Sequence, residues 1–289
     1  MTTFMNQEVI APYNSRRDYR GVDASAYDLT VMIPHLETPD ELMMILDLWD
    51  EQVAVKPLLM VVDTGSTDET CKVLEERRTL NCEVHYIRAH GWAHASAPVA
   101  AACDLAFALC RTDRLVLTHT DVFPQRRDLG AELVERCHAE QPVVGYRMSP
   151  RDWAGPRWKD MVGHTLTAVW MPTMRRIGAT WSMQRGAENY DLPLASGYAG
   201  WPDTETTFNE VIRRAGVIRE YLGDEPNDVY RDERIVHCRT LGAKRIYSPS
   251  EYEVRMIDVD EEMDASAERL LTWHAEDADA PMKAGSVCV

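Results

Sequence analysis

LLMVVDTGSTDET, residues 58–70, changes character twice. Leu58–Val62 is a continuous apolar run, as a strand covered on both faces should be. Asp63, Thr64, Gly65 and Ser66 follow as a polar turn, in which the glycine permits a sharp bend. Thr67-Asp68-Glu69-Thr70 then supplies the hydroxyl and acids that suit a helix N-terminus, with the helix expected over Thr67–Arg78. A strand, a polar loop and a helix are the unit of an α/β fold.

The same unit recurs on both sides. Upstream, Leu29–Ile33 is an apolar run closed by Pro34, and Pro39–Gln52 carries Leu42, Ile45, Leu46 and Trp49 at helical spacing. Downstream, Glu83–Ile87 reads as a strand, Val99–Cys110 as an Ala-rich helix and Leu115–Thr118 as a fourth strand. Asp128–Ala139 is a helix and Val143–Tyr146 a strand. This order predicts a doubly wound, mainly parallel sheet with helices on both faces. Such sheets bind ligands in the loops at the carboxyl ends of their strands. Those ends carry Pro34-His35-Leu36-Glu37, Asp63-Thr64-Gly65-Ser66 and His119-Thr120-Asp121.

After about residue 147 the alternation breaks down. Glu205–Ala215 reads as a helix, Val217–Tyr221 as a strand and Glu262–His274 as an amphipathic acidic helix. The expected layout is an N-terminal extension (1–28), a first half (29–148) and a second half (149–250) of one mixed domain, and an acidic helix and tail (251–289).

Charge and composition limit the setting. The chain has 289 residues, with 31 Lys+Arg against 47 Asp+Glu and a formal net charge of −16. Residues 251–289 alone hold 11 acids and 3 bases. So acidic a protein is a poor candidate for non-specific nucleic-acid coating, which relies on Lys and Arg releasing counterions. No apolar run approaches the ~20 residues of a membrane span, and Met1–Asn14 lacks the pattern of a signal peptide. Seven cysteines without a Cys-x-x-Cys pair read as reduced core thiols, and a cytoplasmic location is expected.

Two loops carry candidate chemistry. The Asp63 carboxylate at a strand end can accept a nucleobase N–H or a ribose hydroxyl. His119 and Asp121 are two residues apart and would share one side of an extended chain, within reach of one divalent ion on a diphosphate.

VVDTGSTDET at 61–70 closely resembles the nucleotide-binding segment of family 2 glycosyltransferases, V-V-D-D-G-S-T-D. LTVMIPHLETPDEL at 29–42 resembles that family's opening strand, loop and helix, and THTDVFP at 118–124 its Asp-x-Asp metal segment. GWPDTETTFNEVIRRAG at 200–216 resembles its acceptor-side segment, and VHCRTLG at 236–242 its late His-containing segment. The resemblance covers about residues 29–245 and implies a GT-A fold that moves a sugar from a nucleotide-diphosphate donor, a UDP-sugar first, to an acceptor hydroxyl.

Carried onto this chain, it implies a donor site of Pro34, His35, Glu37, Asp63, Gly65, Ser66 and Thr120. Asp104 would lie near the donor, and Arg245 would meet a phosphate. Asp121, with His119 and His237, would hold Mn²⁺ or Mg²⁺. Asp203 would be the general base of an inverting transfer, with Glu205 in reserve. Three positions depart from the family: Thr64 stands for its second Asp, His119 for the first Asp of Asp-x-Asp, and Pro202 for the Glu before Asp203.

Residues 147–185 hold seven bases and two acids and include Trp153, Trp158, Trp170 and Trp181. Indole faces stack on sugars or bases, and arginines bind phosphate or carboxylate. The resemblance places the acceptor site in the segment between the metal motif and the base, and so implies an acceptor site including Trp153, Trp158, Trp181 and Trp201. Its ligand would be a glycan, a small molecule or a modified nucleic-acid base. Arg175-Arg176 would face a diphosphate or solvent. Two other functions stay open: a non-catalytic nucleotide-sugar-binding or scaffold protein, and a nucleotidyltransferase. The second normally carries a Gly-rich loop where this chain has Pro34-His35-Leu36-Glu37-Thr38.

Overall fold

The structure, a computed structural model, describes residues 23–77, 81–87, 96–147, 161–190, 204–223, 231–238 and 259–279. After a 3₁₀ turn at Ala24–Ala26 the chain alternates as expected. β1 (Leu29–His35), α1 (Pro39–Asp50), β2 (Pro57–Asp63), α2 (Asp68–Arg77) and β3 (Cys82–Tyr86) come first. α3 (Ser96–Leu109), β4 (Arg114–Leu117), β5 (Val122–Pro124), α4 (Leu129–Arg136) and β6 (Val143–Arg147) follow. The remainder is β7 (Val162–Trp170), α5 (Met171–Ile177), α6 (Met183–Tyr190), α7 (Thr206–Arg214), β8 (Arg219–Tyr221), β9 (Ile235–His237) and α8 (Val259–Asp279).

Seven strands form one sheet in the order β3-β2-β1-β4-β7-β6-β8, and β5 pairs with β9 in a second, two-stranded sheet. The first four strands are parallel neighbours, as is β6 to β8. β6 does not extend that parallel run beside β4. β7 lies between them and is antiparallel to both. The sheet is thus mixed and mainly parallel. β7 has no strand signal in the sequence: VGHTLTAVW lies in the Trp- and Arg-rich region and carries no clear alternation.

The apolar runs are continuous because both faces of the sheet are covered. Val31, Ile33, Leu59 and Val61 join one core with Leu46 and Trp49 of α1, Leu133 of α4 and Trp273 of α8. Met32, Met60 and Val62 point the other way, into a core with Cys103 of α3, Met174 of α5 and Phe208 of α7. Each such side chain taken from water contributes roughly 1.5–3 kcal/mol.

The acidic C-terminal helix packs on the first of these faces. Trp273 is buried there, and Arg127 donates to the Trp273 carbonyl (3.2 Å) and to Asp277 (2.9 and 2.6 Å). Cys82, Cys103, Cys110, Cys137 and Cys238 are buried free thiols, and Cys71 is half-buried. No helix among the described residues is long and apolar enough to cross a membrane.

One close approach fixes the β6–β7 pairing. A Cβ on Gly145 would lie 2.7 Å from Val162 Cγ1 and 3.0 Å from the Leu166 carbonyl oxygen, with Thr167 Oγ1 nearer still. Gly145→Ala should lower unfolding stability by about 1–3 kcal/mol through overpacking, read as a shift in the urea midpoint. An unshifted midpoint would mean that the two strands sit farther apart.

Candidate functional site

The loops after β1 and β2 are held to each other by side chains. β1 runs two residues past the expected end, and its last pairs with β2 are Pro34↔Val62 and His35↔Asp63. Pro34 is therefore a buried strand residue rather than part of the loop. That register sets the His35 imidazole beside the Asp63 carboxylate, Nδ1 to Oδ2 2.8 Å. The Thr38 backbone N–H donates to His35 Nε2 (3.1 Å), so Nε2 is the acceptor and Nδ1 carries the proton given to Asp63.

Asp63 is saturated. Oδ1 accepts from the Gly65 and Ser66 amides (3.1 and 3.0 Å), and Oδ2 from His35 and from Ser66 Oγ (2.5 Å). Only 2% of the residue is exposed. Burial pushes its pKa up, but the bonds from His35, Ser66 and Gly65 prevail and hold it below the ordinary 3.8. The carboxylate expected to meet a nucleobase thus has both oxygens engaged in shaping the loop. Gly65 is needed in that turn, since its φ is +125°.

Glu37 likewise turns inward. With φ +55° it donates its N–H to Ser66 Oγ (2.9 Å). Its carboxylate accepts from the Thr67 amide (2.5 Å) and Thr70 Oγ1 (2.9 Å). It therefore caps α2 from across the loop, a favourable place for an anion at a helix N-terminus. The pairings of His35 with Asp63 and Glu37 with Thr67 had no signal in the sequence, because the partners lie about 30 residues apart.

A depressed carboxyl pKa ties Asp63 to acid stability. Its contribution is complete above the unfolded carboxyl pKa and is lost as pH falls through the lower folded value. Urea midpoints measured from neutral to acid pH should therefore fall less steeply for Asp63→Asn. At neutral pH that variant should be about 1–3 kcal/mol less stable, because its amide N–H₂ meets donors. Parallel pH profiles for the two proteins would sink this account.

The loop after β4 departs from the expected extended form. β4 ends at Leu117, and Thr120-Asp121 form a turn in which the Val122 amide donates to the His119 carbonyl (3.3 Å). The alternation that would set the His119 and Asp121 side chains on one side does not apply. Asp121, 6% exposed, instead meets His237 across β5–β9: Oδ1 to Nε2 is 3.7 Å. The Val122↔His237 pair and the Cys238 amide donating to the Asp121 carbonyl (2.8 Å) fix this approach. Thr120 is buried within the turn.

The Asp121–His237 separation exceeds hydrogen-bond reach but suits two ligands of one ion. An oxygen and an imidazole nitrogen form a mixed donor set, which fits Mn²⁺ better than Mg²⁺. Among the described residues no group of three His, Cys, Asp or Glu side chains is placed to hold a metal. The described residues thus supply a pair, not the expected triad.

Three other expected residues have partners of their own. Trp181 is a core residue, 1% exposed, stacked on Phe208 (4.1 Å, 6°) and edge-on to Phe107 (4.7 Å), so its ring cannot serve an acceptor. Asp104 accepts from Thr180 Oγ1 (3.0 Å) and the Trp181 amide (2.8 Å) and so anchors that turn. Burial raises the Asp104 pKa against those bonds. Arg175 donates to the Cys110 carbonyl at the N-terminal end of β4, away from the loops that form the site. Glu205 is buried (3%) at the start of α7. Trp153, Trp158, Trp201, Asp203 and Arg245 lie outside the described residues.

No family model and no curated protein sequence matches the chain. Solved structures do. The glycosyltransferase GlyE of Streptococcus pneumoniae TIGR4 aligns with TM-score 0.52 at 9% identity, over 89% of this chain and 65% of that one. The galactosyltransferase LgtC, solved with donor and acceptor sugar analogues, aligns with TM-score 0.52 at 10% identity, over 84% and 95%.

The chain has the GT-A fold.

A mannosyltransferase from Pyrobaculum calidifontis, PcManGT, solved with GDP-Man and Mn²⁺, overlays more loosely (TM-score 0.48, 19% identity, 92% and 78% covered). On this GT-A frame the carboxyl ends of β1, β2 and β4 lead into the His35–Asp63 latch and the Asp121 turn. Parallel sheets present their ligand crevice at those ends.

Proposed function

We propose that the protein is a glycosyltransferase that moves a sugar from a nucleotide-diphosphate donor to an acceptor hydroxyl. The carrying observation is the approach of Asp121 to His237 on a GT-A fold, next to two loops latched by His35–Asp63 and Glu37–Thr67. Latched loops keep their backbone amides fixed before a donor arrives, so less order is lost on binding. The Asp121 carboxylate and the His237 imidazole would hold a divalent ion, Mn²⁺ first. When bound, such an ion neutralises the charge that grows on a departing diphosphate.

The donor is proposed to be a UDP-sugar, with Gly65 and Ser66 lining its nucleoside side and Asp63 shaping that loop from within. Asp203 is proposed to take the proton of the acceptor hydroxyl, with Glu205 in reserve, and the transfer to invert the anomeric centre. Trp153, Trp158 and Trp201 are proposed to stack on the acceptor.

A panel of nucleotide sugars, with and without Mn²⁺, tests this reading through thermal stabilisation and sugar release. Metal-dependent stabilisation by one nucleotide class, with slow release of its sugar, is expected. Stabilisation without release under any acceptor would favour a binding protein over an enzyme. No response to any donor would overturn the proposal.

A further inference from the structure

The Asp121–His237 pair rides on a very small support. β5 and β9 are three residues each, joined by the pairs Val122↔His237, Phe123↔Val236 and Pro124↔Ile235. A lone two-stranded ribbon is at best marginal in water, so something else must hold these strands in register. Phe123 and Val236 are fully buried in the core below them. Glu132 of α4 holds Arg234 before β9 (3.0 Å), and the polar hold that reaches both strands comes from α8, the acidic helix that the function described above leaves unused.

Glu262, on the first turns of α8, is 1% exposed. Its Oε1 accepts from Gln125 Nε2 (3.0 Å), Ser266 Oγ (3.2 Å) and Arg269 Nη2 (3.0 Å), and its Oε2 from Arg231 Nη2 (3.1 Å). Arg269 also donates to the Pro124 carbonyl of β5 (3.2 Å) and to Gln125 Oε1 (2.8 Å). On the other strand, Arg231 forms a β-bridge with Val236 of β9. Gln125, just beyond β5, donates its amide to the Arg234 carbonyl just before β9 (2.8 Å). One buried carboxylate therefore ties the exit of β5 to the approach of β9. The ligand pair stands at the opposite end of the same ribbon.

We infer that Glu262 is a positioning residue for the Asp121–His237 pair, acting through Arg269, Gln125 and Arg231 to hold β5 and β9 in register. This rests on the proposal that the pair binds a divalent ion. With the clamp lost, the ribbon keeps its three strand pairs, the backbone bonds at its two ends and the hold of Glu132 on Arg234, but β5 loses its tie to α8 and the spacing of the two ligands becomes more variable. A metal pair pays for variable spacing in affinity. Groups that orient metal ligands from behind typically matter by about 10–100-fold in metal affinity.

The test is Mn²⁺ binding by the full chain, followed by the EPR signal of free Mn²⁺ with UDP or GDP present. Glu262→Gln should bind Mn²⁺ at least about tenfold more weakly while remaining folded by circular dichroism. Glu268→Gln, the same change at an exposed position of the same helix, should bind as the wild type does. A purely structural role would lower the melting temperature and leave the affinity of the folded protein unchanged, which would overturn the inference. Should Glu262→Gln not fold, Arg269→Lys carries the same expectation, because lysine keeps the charge but loses the fork. Asp121→Asn separates the two levels. If it binds Mn²⁺ normally, the metal reading fails and the inference with it. If it loses Mn²⁺ while the clamp variants keep it, the inference alone fails.

Discussion

Asp121→Asn is expected to lower sugar transfer at least about a hundredfold, with little change in folding stability. The carboxylate stands 3.7 Å from His237 Nε2, in a turn whose backbone is fixed by bonds of its own. The Cys238 amide bonds the Asp121 carbonyl, not its side chain, so the isosteric amide keeps the turn. What it removes is the negative charge that would hold a divalent ion. A departing diphosphate then lacks a counter-charge at the moment its own charge grows, and such stabilisation is usually worth several kcal/mol of barrier. Donor affinity measured without metal should be nearly unchanged. The decisive measurement is the rate of transfer against Mn²⁺ concentration for both proteins. A variant that saturates with Mn²⁺ at the wild-type rate would move the metal away from β5–β9.

The sequence showed the frame better than the wiring. LTVMI, LLMVV and the turns behind them placed β1, β2 and their loops almost to the residue, because strands buried on both faces must be apolar throughout. The antiparallel β7 escaped, since pairing partners are chosen by tertiary contacts that VGHTLTAVW does not advertise. At the site, His35, Glu37, Asp63, Asp121 and His237 were all singled out, yet their relations were not. The bonds of Asp63 to His35 and Ser66 have no trace in the sequence. His119 was expected to share a side with Asp121, but the chain bends at Thr120-Asp121 and brings His237 there. The clamp had one faint trace: Glu262, Ser266 and Arg269 stand at i, i+4 and i+7, along one stripe of a helix otherwise read as an acidic appendage.

Trp181→Ala is expected to cost about 3–5 kcal/mol of unfolding stability, the largest effect of any single substitution considered for the described core. The indole is sandwiched in the layer between α3 and α7, flat on Phe208 and edge-on to Phe107. Its truncation therefore removes aromatic contacts and leaves a cavity that Ala cannot fill. The backbone amide that Asp104 accepts from is retained in the variant, so the loss is one of packing rather than of the turn. Trp181→Phe should recover much of the stability, since a smaller ring still stacks on Phe208. The opposite assignment, an indole presented to an acceptor sugar, makes a different pair of predictions. Stability would hardly move, and the KM for acceptor would rise in both variants. Urea unfolding and acceptor kinetics on the same samples separate the two. A stable Trp181→Ala protein with weakened acceptor binding would return this tryptophan to the site. A destabilised one with unchanged acceptor KM leaves stacking to Trp153, Trp158 and Trp201.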